Sequence, residues 1–300
     1  MNNEKRIEFY KRRSVGDVLS AGADFIRQNW KVLFRNVFIV GGPLACLYGY
    51  FMHEYKLTAP NAFVTPIDNG SFIYNALFFI VIAVVLSLFL YAMTLAVMTH
   101  YGEGKLTQQT GWSDLKGNVF AYAKKIFVVG LILFGVIILV AIAVGVIFGG
   151  LSGISPDSAL GFSFLLLVLL VIFAPGLCLI VYPAVFHQQS AASSISTAFS
   201  LSFRYWGSTF LVMLVSSIVM FLFSVLVSGL YDIWIAFGST ILPMRIVFDI
   251  VCYILAIVSA FATLIATPVL VAFLAFQYFN IVEREEGVSV QSDVDEFDNL

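Results

Sequence analysis

Of the side chains here that could carry chemistry, the histidines come first: there are three, His53, His100 and His187. Iron held with open coordination positions needs several imidazoles, or imidazoles and a carboxylate, converging on one point. The hydropathy pattern puts His53 at the outer end of the first long apolar segment. It puts His100 and His187 at the inner ends of the second and fourth. His53 is therefore a bilayer thickness, about 30 Å, from the other two. His100 and His187, with Glu103 close by in the chain, leave two imidazoles and one loop carboxylate, a poor ligand sphere. All three rings read instead as solvated groups at headgroup level. The expectation is no metal, no cofactor and no catalytic residue.

Asp232, Arg245 and Asp249 bracket the last outer loop. A charge at the bilayer centre costs about 2.5–3.5 kcal/mol on insertion scales. These three sit near the ends of their segments, where pairing, water or snorkelling removes much of that cost. They read as a structural ion pair. Pro43 (after Gly41-Gly42), Pro175 (before Gly176) and Pro268 interrupt the first, fourth and sixth apolar segments. Broken helices expose carbonyls to a cargo in transporters. No carboxylate, Lys or His stands beside these prolines at mid-depth, so they read as packing kinks. Cys46, Cys178 and Cys252 lie in apolar runs with no paired spacing and read as small core residues. Asn69-Gly70-Ser71 matches a glycosylation sequon and equally a tight turn. No phosphate-binding glycine loop, Ser/His/Asp set or Cys/His metal spacing appears.

The elements that must position these residues are set by composition. The chain is 60% hydrophobic and 11% charged, with a mean hydropathy of +0.96. A soluble domain has roughly 25% charged residues, so this chain belongs to a membrane. Apolar spans of the required length, about 20 residues, are predicted at 33–53, 71–100, 126–149, 162–186, 208–232 and 247–281. Three lead-ins carry helical periodicity. Val15, Leu19, Ile26 and Trp30 share one face of 14–30, behind a capping pair, Ser14 and Asp17. Trp112, Leu115, Val119, Tyr122 and Ile126 form a second stripe. Ile195, Phe199, Phe203, Trp206 and Phe210 form the third, with Ser193, Ser194, Thr197, Ser200 and Arg204 opposite. Such helices should lie flat at the lipid–water boundary. The expected fold is an all-α, integral membrane six-helix bundle. It is built as three units of interfacial helix plus transmembrane hairpin, at 14–100, 112–187 and 193–282.

Fourteen of the sixteen Lys and Arg fall on the side that holds both termini, against Lys56 and Arg245 on the other. The positive-inside rule makes that side cytoplasmic. Residues 1–13 form a basic cytoplasmic N-terminus. Residues 283–300 carry one Arg against seven Asp and Glu, a tail too polar to fold alone that offers a surface for a protein partner. The basic residues line one membrane face, so anionic lipid headgroups are the expected partner and nucleic acid is not. The expected lipid and interfacial contacts are Trp30, Lys31, Arg35, Trp112, Lys124, Lys125, Phe203, Arg204 and Trp206.

The phrases RRSVGDVLSAGADFIRQNWKVLFRNVFIVGGP at 12–43 and PAVFHQQSAASSISTAFSLSFRYWGSTF at 183–210 resemble a group of bacterial six-span membrane proteins. These are similar to the membrane domain fused to some glycerophosphodiester phosphodiesterases, and some relatives carry a β-carotene monooxygenase label. The resemblance implies an accessory role in the bacterial inner membrane and transfers no catalytic residue. Six spans and a short tail leave no room for a phosphodiesterase domain. Three function readings follow: a lipid-interacting scaffold without enzymatic activity, a translocator of a small amphiphile or lipid, and, disfavoured by the histidine count, an intramembrane redox enzyme. Topology reporters fused after residues 60, 155 and 240 should all read as external; an internal signal at any of them contradicts the six-span reading.

Overall fold

The computed structural model of the protein describes residues 6–58, 70–152, 156–241 and 245–288. Every regular element among them is a helix: α1 (Val15–Thr58), α2 (Gly70–Gly102), α3 (Trp112–Ser152), α4 (Pro156–Leu179), α5 (Val181–Phe186), α6 (Ala191–Arg204), α7 (Trp206–Ile241) and α8 (Arg245–Glu286). Six of these, all but the short α5 and α6, are long and apolar enough to cross a membrane. The fold is all-α and the protein is a multi-pass integral membrane protein. Asn69 of the sequon, most of the first outer loop and the acidic tail beyond residue 288 lie outside the described residues.

The starts of the helices follow local chemistry. The Ser14 hydroxyl donates to Asp17 at 2.7 Å, and the Asp17 N–H donates back to Ser14 at 3.3 Å, a capping pair. Asp114 accepts from the Gly111 N–H at 2.8 Å ahead of α3. Ser190 caps α6 by accepting from the Ser193 N–H.

All three lead-ins are helical, but they join their spans differently. The first and second continue into them without a break, within α1 and α3. At 1.5 Å per residue the 44 residues of α1 reach roughly 66 Å, about twice the hydrocarbon thickness. No glycine or proline separates Trp30 from the span, so nothing stops the helix. Only the third lead-in, α6, is a helix of its own. It ends at Tyr205, whose φ −114° and ψ 33° leave the helical region, before α7 begins at Trp206. Helix also runs through Pro43 in α1, Pro175 in α4 and Pro268 in α8, and α4 ends at Leu179, four residues past its proline.

The chain forms two compact units. The first takes in Met1–Ile7, Ala21–Phe120 and Val215–Phe273. Here α1 meets α8 backbone to backbone. A Cβ on Gly49 would lie 2.9 Å from the Ile257 Cα and 3.0 Å from the Ala256 carbonyl carbon, so only glycine fits. Phe38 stacks on Phe261 at 5.9 Å, and Phe79 of α2 stacks on Tyr55 at 5.4 Å. The second unit takes in Glu8–Ser20, Ala121–Leu214 and Leu274–Leu300. Here Phe199 of α6 lies over Gly176 of α4, where a Cβ would come within 2.3 Å of its ring. Tyr278 and Phe279 of α8 pack with Tyr182 and Phe186 of α5.

The buried faces are not the ones a soluble helix would bury. The α3 stripe does go inside at Leu115, Val119 and Tyr122. In α1 the buried line is Val18, Ala21, Phe25 and Asn29, while Trp30 is 53% exposed. In α6 it is Ser194, Ala198 and Ser202, while Phe203 is 50% exposed. At about 100° per residue, each buried line is rotated roughly a quarter turn from the apolar stripe. Ser194, assigned from sequence to the solvated face, is buried and donates its hydroxyl to the Ile180 carbonyl at 2.5 Å. Lipid tails are as apolar as leucine, so in α6 small residues pack inward and Phe203 turns out. Exposed Leu131, Phe134 and Leu139 along α3 belong to the same outward apolar surface.

Replacing Gly49 with Val should destabilise the protein by about 1–3 kcal/mol, read as a lowered detergent melting temperature. Gly130→Ala, at a position with nothing within 4 Å, should leave it unchanged. Equal effects would remove the backbone contact from the account.

Candidate functional site

Within the first unit, a polar group sits at the ends of α1, α7 and α8 that bear Lys56, Asp232 and Asp249. Ala45, Gly49 and His53, at steps of four, share a buried line on α1. His53 is fully buried, not solvated as the sequence reading had it. Its Nδ1 lies 2.9 Å from the Tyr231 hydroxyl of α7, and its ring meets Tyr253 of α8 edge-on at 4.4 Å between centroids. The Nε2 atom is buried and makes no hydrogen bond. Tyr253 in turn donates to Glu54. Lys56 bonds Asp232 at 2.5 Å and lies 4.7 Å from the centre of the Tyr231 ring. The predicted partner of Asp232 was Arg245, whose side chain lies outside the described residues. The pair formed with Lys56 is largely exposed, so it contributes at most about 1 kcal/mol. Around these groups pack Cys252, Met52, Trp234 and Phe248, and Trp234 Nε1 is a second buried nitrogen without a partner.

Within the second unit, the N-terminal segment is strapped to the end of α8. Phe9 stacks on Phe279 at 4.7 Å and meets Phe276 edge-on at 5.5 Å. The Arg13 N–H donates to Asn280 Oδ1 at 2.7 Å, and Arg284 donates to the Arg13 carbonyl at 2.6 Å. The Arg13 guanidinium caps the Phe9 carbonyl at 2.9 Å and lies 5.6 Å from the Phe276 ring centre. Burial holds this guanidinium below its ordinary pKa, against the pull of Glu8 and Asp17. Burial, with Glu286 adding to it, raises the Tyr10 phenol above its ordinary value. Residues 1–13 read from sequence as a polar arm; from Phe9 to Arg13 they are part of the packed structure. Phe9, Tyr10 and Ile7, apolar residues among the charges, are the signal that marks it.

The expected interfacial contacts divide. Trp30 is exposed with Lys31 5.8 Å from its ring centre, and Lys124 is exposed. The other cations bond within the protein, Arg35 and Arg204 from exposed positions. Arg35 donates to the carbonyls of Gln108 and Thr110, at 3.1 and 2.6 Å. Lys125 donates to the Ala184 carbonyl at 3.0 Å and to Gln188. Arg204 is paired with Glu285, and the same carboxylate, as acceptor, raises the Tyr205 phenol. Trp112 lies between Phe89 and Phe120, and Trp206 stacks on Phe210 while its Nε1 donates to the Ile172 carbonyl at 3.0 Å. Thus Arg35, Lys125 and Arg204 make contacts within the protein, and Phe203 of α6 is left half exposed.

His100 Nδ1 donates to the Ala96 carbonyl at 3.0 Å, and His187 ends α5 with its N–H on the Pro183 carbonyl. Among the described residues no group of three or more His, Cys, Asp or Glu side chains is placed to hold a metal ion. No family model, no curated protein and no solved structure matches the chain.

Tyr231→Phe removes the sole hydrogen bond drawn to His53 Nδ1 and should cost about 1–3 kcal/mol. Adding His53→Leu should recover part of that loss, since both polar partners are then gone. A double variant that loses the full sum would show the two side chains to be uncoupled.

Proposed function

We propose that this protein is a non-enzymatic accessory component of the bacterial cytoplasmic membrane that organises lipid at the inner leaflet, with both termini in the cytoplasm. The observation that carries the reading is α6. It is separated from α7 by a break at Tyr205, docks through its small face and leaves Phe203 exposed. Its other exposed side chains are Ala192, Ser193, Ser196, Ser200 and Arg204. A helix with one side on protein, one aromatic side and one polar side suits the headgroup boundary. Exposed Trp30, Lys31 and Lys124 add aromatic and cationic groups, each cation near the surface contributing about 1 kcal/mol of attraction to anionic lipid. The N-terminal segment bound to the end of α8 supports termini on one side, and the excess of Lys and Arg there supports the cytoplasmic one. The resemblance to membrane domains that accompany glycerophosphodiester phosphodiesterases supports an accessory role. The acidic tail is assigned to a protein partner.

A second reading, a translocator of an amphiphile, draws on one observation. His53 and Tyr231 form a buried hydrogen-bonded pair inside spans that are otherwise apolar, and polar groups so placed are functional suspects.

Spin labels test the first reading directly. On a chain with Cys46, Cys178 and Cys252 replaced by alanine and held in bilayer nanodiscs, a label at Phe203→Cys should be relaxed by oxygen, the lipid-soluble probe. A label at Ser196→Cys should be relaxed by a water-soluble nickel chelate. Nickel access at both positions would leave α6 in water and contradict the proposal.

A further inference from the structure

The loop that joins α2 to α3 borders an open cavity, all within the first unit. The chain leaves α2 at Gly102 and turns through Gly104, whose φ is +72°. It then folds back, so that the N–H groups of Lys105 and Leu106 both donate to the His100 carbonyl, at 2.9 and 3.1 Å. Arg35 and Asn36 of α1 hold the far end through the Thr110 carbonyl, at 2.6 and 3.2 Å. The Thr107 and Thr110 hydroxyls, 3.2 Å apart, tie the wall together. The cavity beside this frame is open to the surface, has a volume of about 470 Å³ and is lined by His100, Lys105, Thr107, Gln109, Thr110 and Asp114, of which Thr110 alone is buried. None of the six is apolar in a chain that is 60% hydrophobic. A polar guest suits such a lining, and an acyl chain does not.

The lining also carries both signs. The Lys105 ammonium and the Gln109 amide donate hydrogen bonds. The Asp114 carboxylate accepts them. So does His100: its Nδ1–H is committed to the Ala96 carbonyl, so the neutral ring presents Nε2 as an acceptor. A guest bearing only negative charge would meet Asp114, and one bearing only positive charge would meet Lys105. We propose that this cavity binds a phosphoethanolamine group, with the phosphate on Lys105 and Gln109 and the ammonium on Asp114 and His100. Glu103, 2.7 Å from the Lys105 Nζ, holds that cation at the loop until the phosphate shares it. Phosphatidylethanolamine and free phosphoethanolamine present the same chemistry. The lipid form of the inference rests on the reading that the inner ends of the spans meet a leaflet; the soluble form does not.

The test uses the purified full chain. Native mass spectrometry measures retention of phosphatidylethanolamine, phosphatidylglycerol and phosphatidylcholine, and calorimetry measures binding of free phosphoethanolamine. Both are repeated for Lys105→Gln and for Asp114→Asn, which keeps an oxygen for the Gly111 N–H. Preferential retention of phosphatidylethanolamine, reduced about tenfold in each variant, supports the lipid form. Soluble phosphoethanolamine binding lost in both variants, with no lipid preference, supports the site and counts against the leaflet reading. Tight phosphatidylglycerol retention that neither variant changes, without either phosphoethanolamine signal, overturns this inference and leaves the leaflet reading standing. No preference in any arm also overturns it. Should Asp114→Asn fail to fold, Lys105→Gln, at an exposed loop position, decides alone.

Discussion

A peptide group in hydrocarbon finds no water, so every N–H and C=O must be satisfied within the protein. That constraint orders the structure. The six long elements are unbroken helices, and three of them carry a proline without losing helical continuity. Departures from helix among the described residues cluster where the chain is polar: the loop between Gly102 and Trp112, and the segment from His187 to Ser190. In the first of these, carbonyls at the end of α2 find donors in the Arg6 side chain and in the Lys105 and Leu106 N–H groups.

Once the backbone is satisfied, small side chains gain a place at some helix contacts. Burying leucine against protein instead of lipid gains little, whereas glycine, alanine and serine let helices approach. Gly49 against α8 and the Ser194, Ala198, Ser202 line of α6 follow that rule. Phenylalanine and leucine on α3 and α7 are left outside, where an acyl chain replaces water. Some buried polar side chains bond the backbone, as Asn29, Thr94 and Ser194 do, and others pair with one another. His53 with Tyr231 is one case, and Gln277 with Ser208 and Thr209 is another.

The spans and their order were legible in the sequence because twenty apolar residues without charge have few other fates. The Ser14–Asp17 cap and the α3 stripe were legible for local reasons, a short hydrogen bond and a 3.6-residue period. The inward faces of α1 and α6 were not, because in lipid an apolar stripe marks the outside as readily as the core. The depth of His53 was missed for a related reason. A lone histidine near a span's end suits the interface, and only the small-residue line through Ala45 and Gly49 marks it as inward. Lys56 with Asp232 and Arg13 with Asn280 join positions far apart in the chain, and periodicity carries no information about such pairs. The continuity of α1 past Trp30 was legible in principle, since no breaker separates the lead-in from its span.

The proposed function requires helices that cross the bilayer and one short helix, α6, that lies along it. Solid-state NMR of the uniformly ¹⁵N-labelled full chain in aligned bilayers reads helix tilt from amide shifts. Amides of Trp206–Ala236 should resonate as helices near the membrane normal, and those of Ala191–Arg204 as a helix in the membrane plane. A common tilt for the two segments would contradict the account.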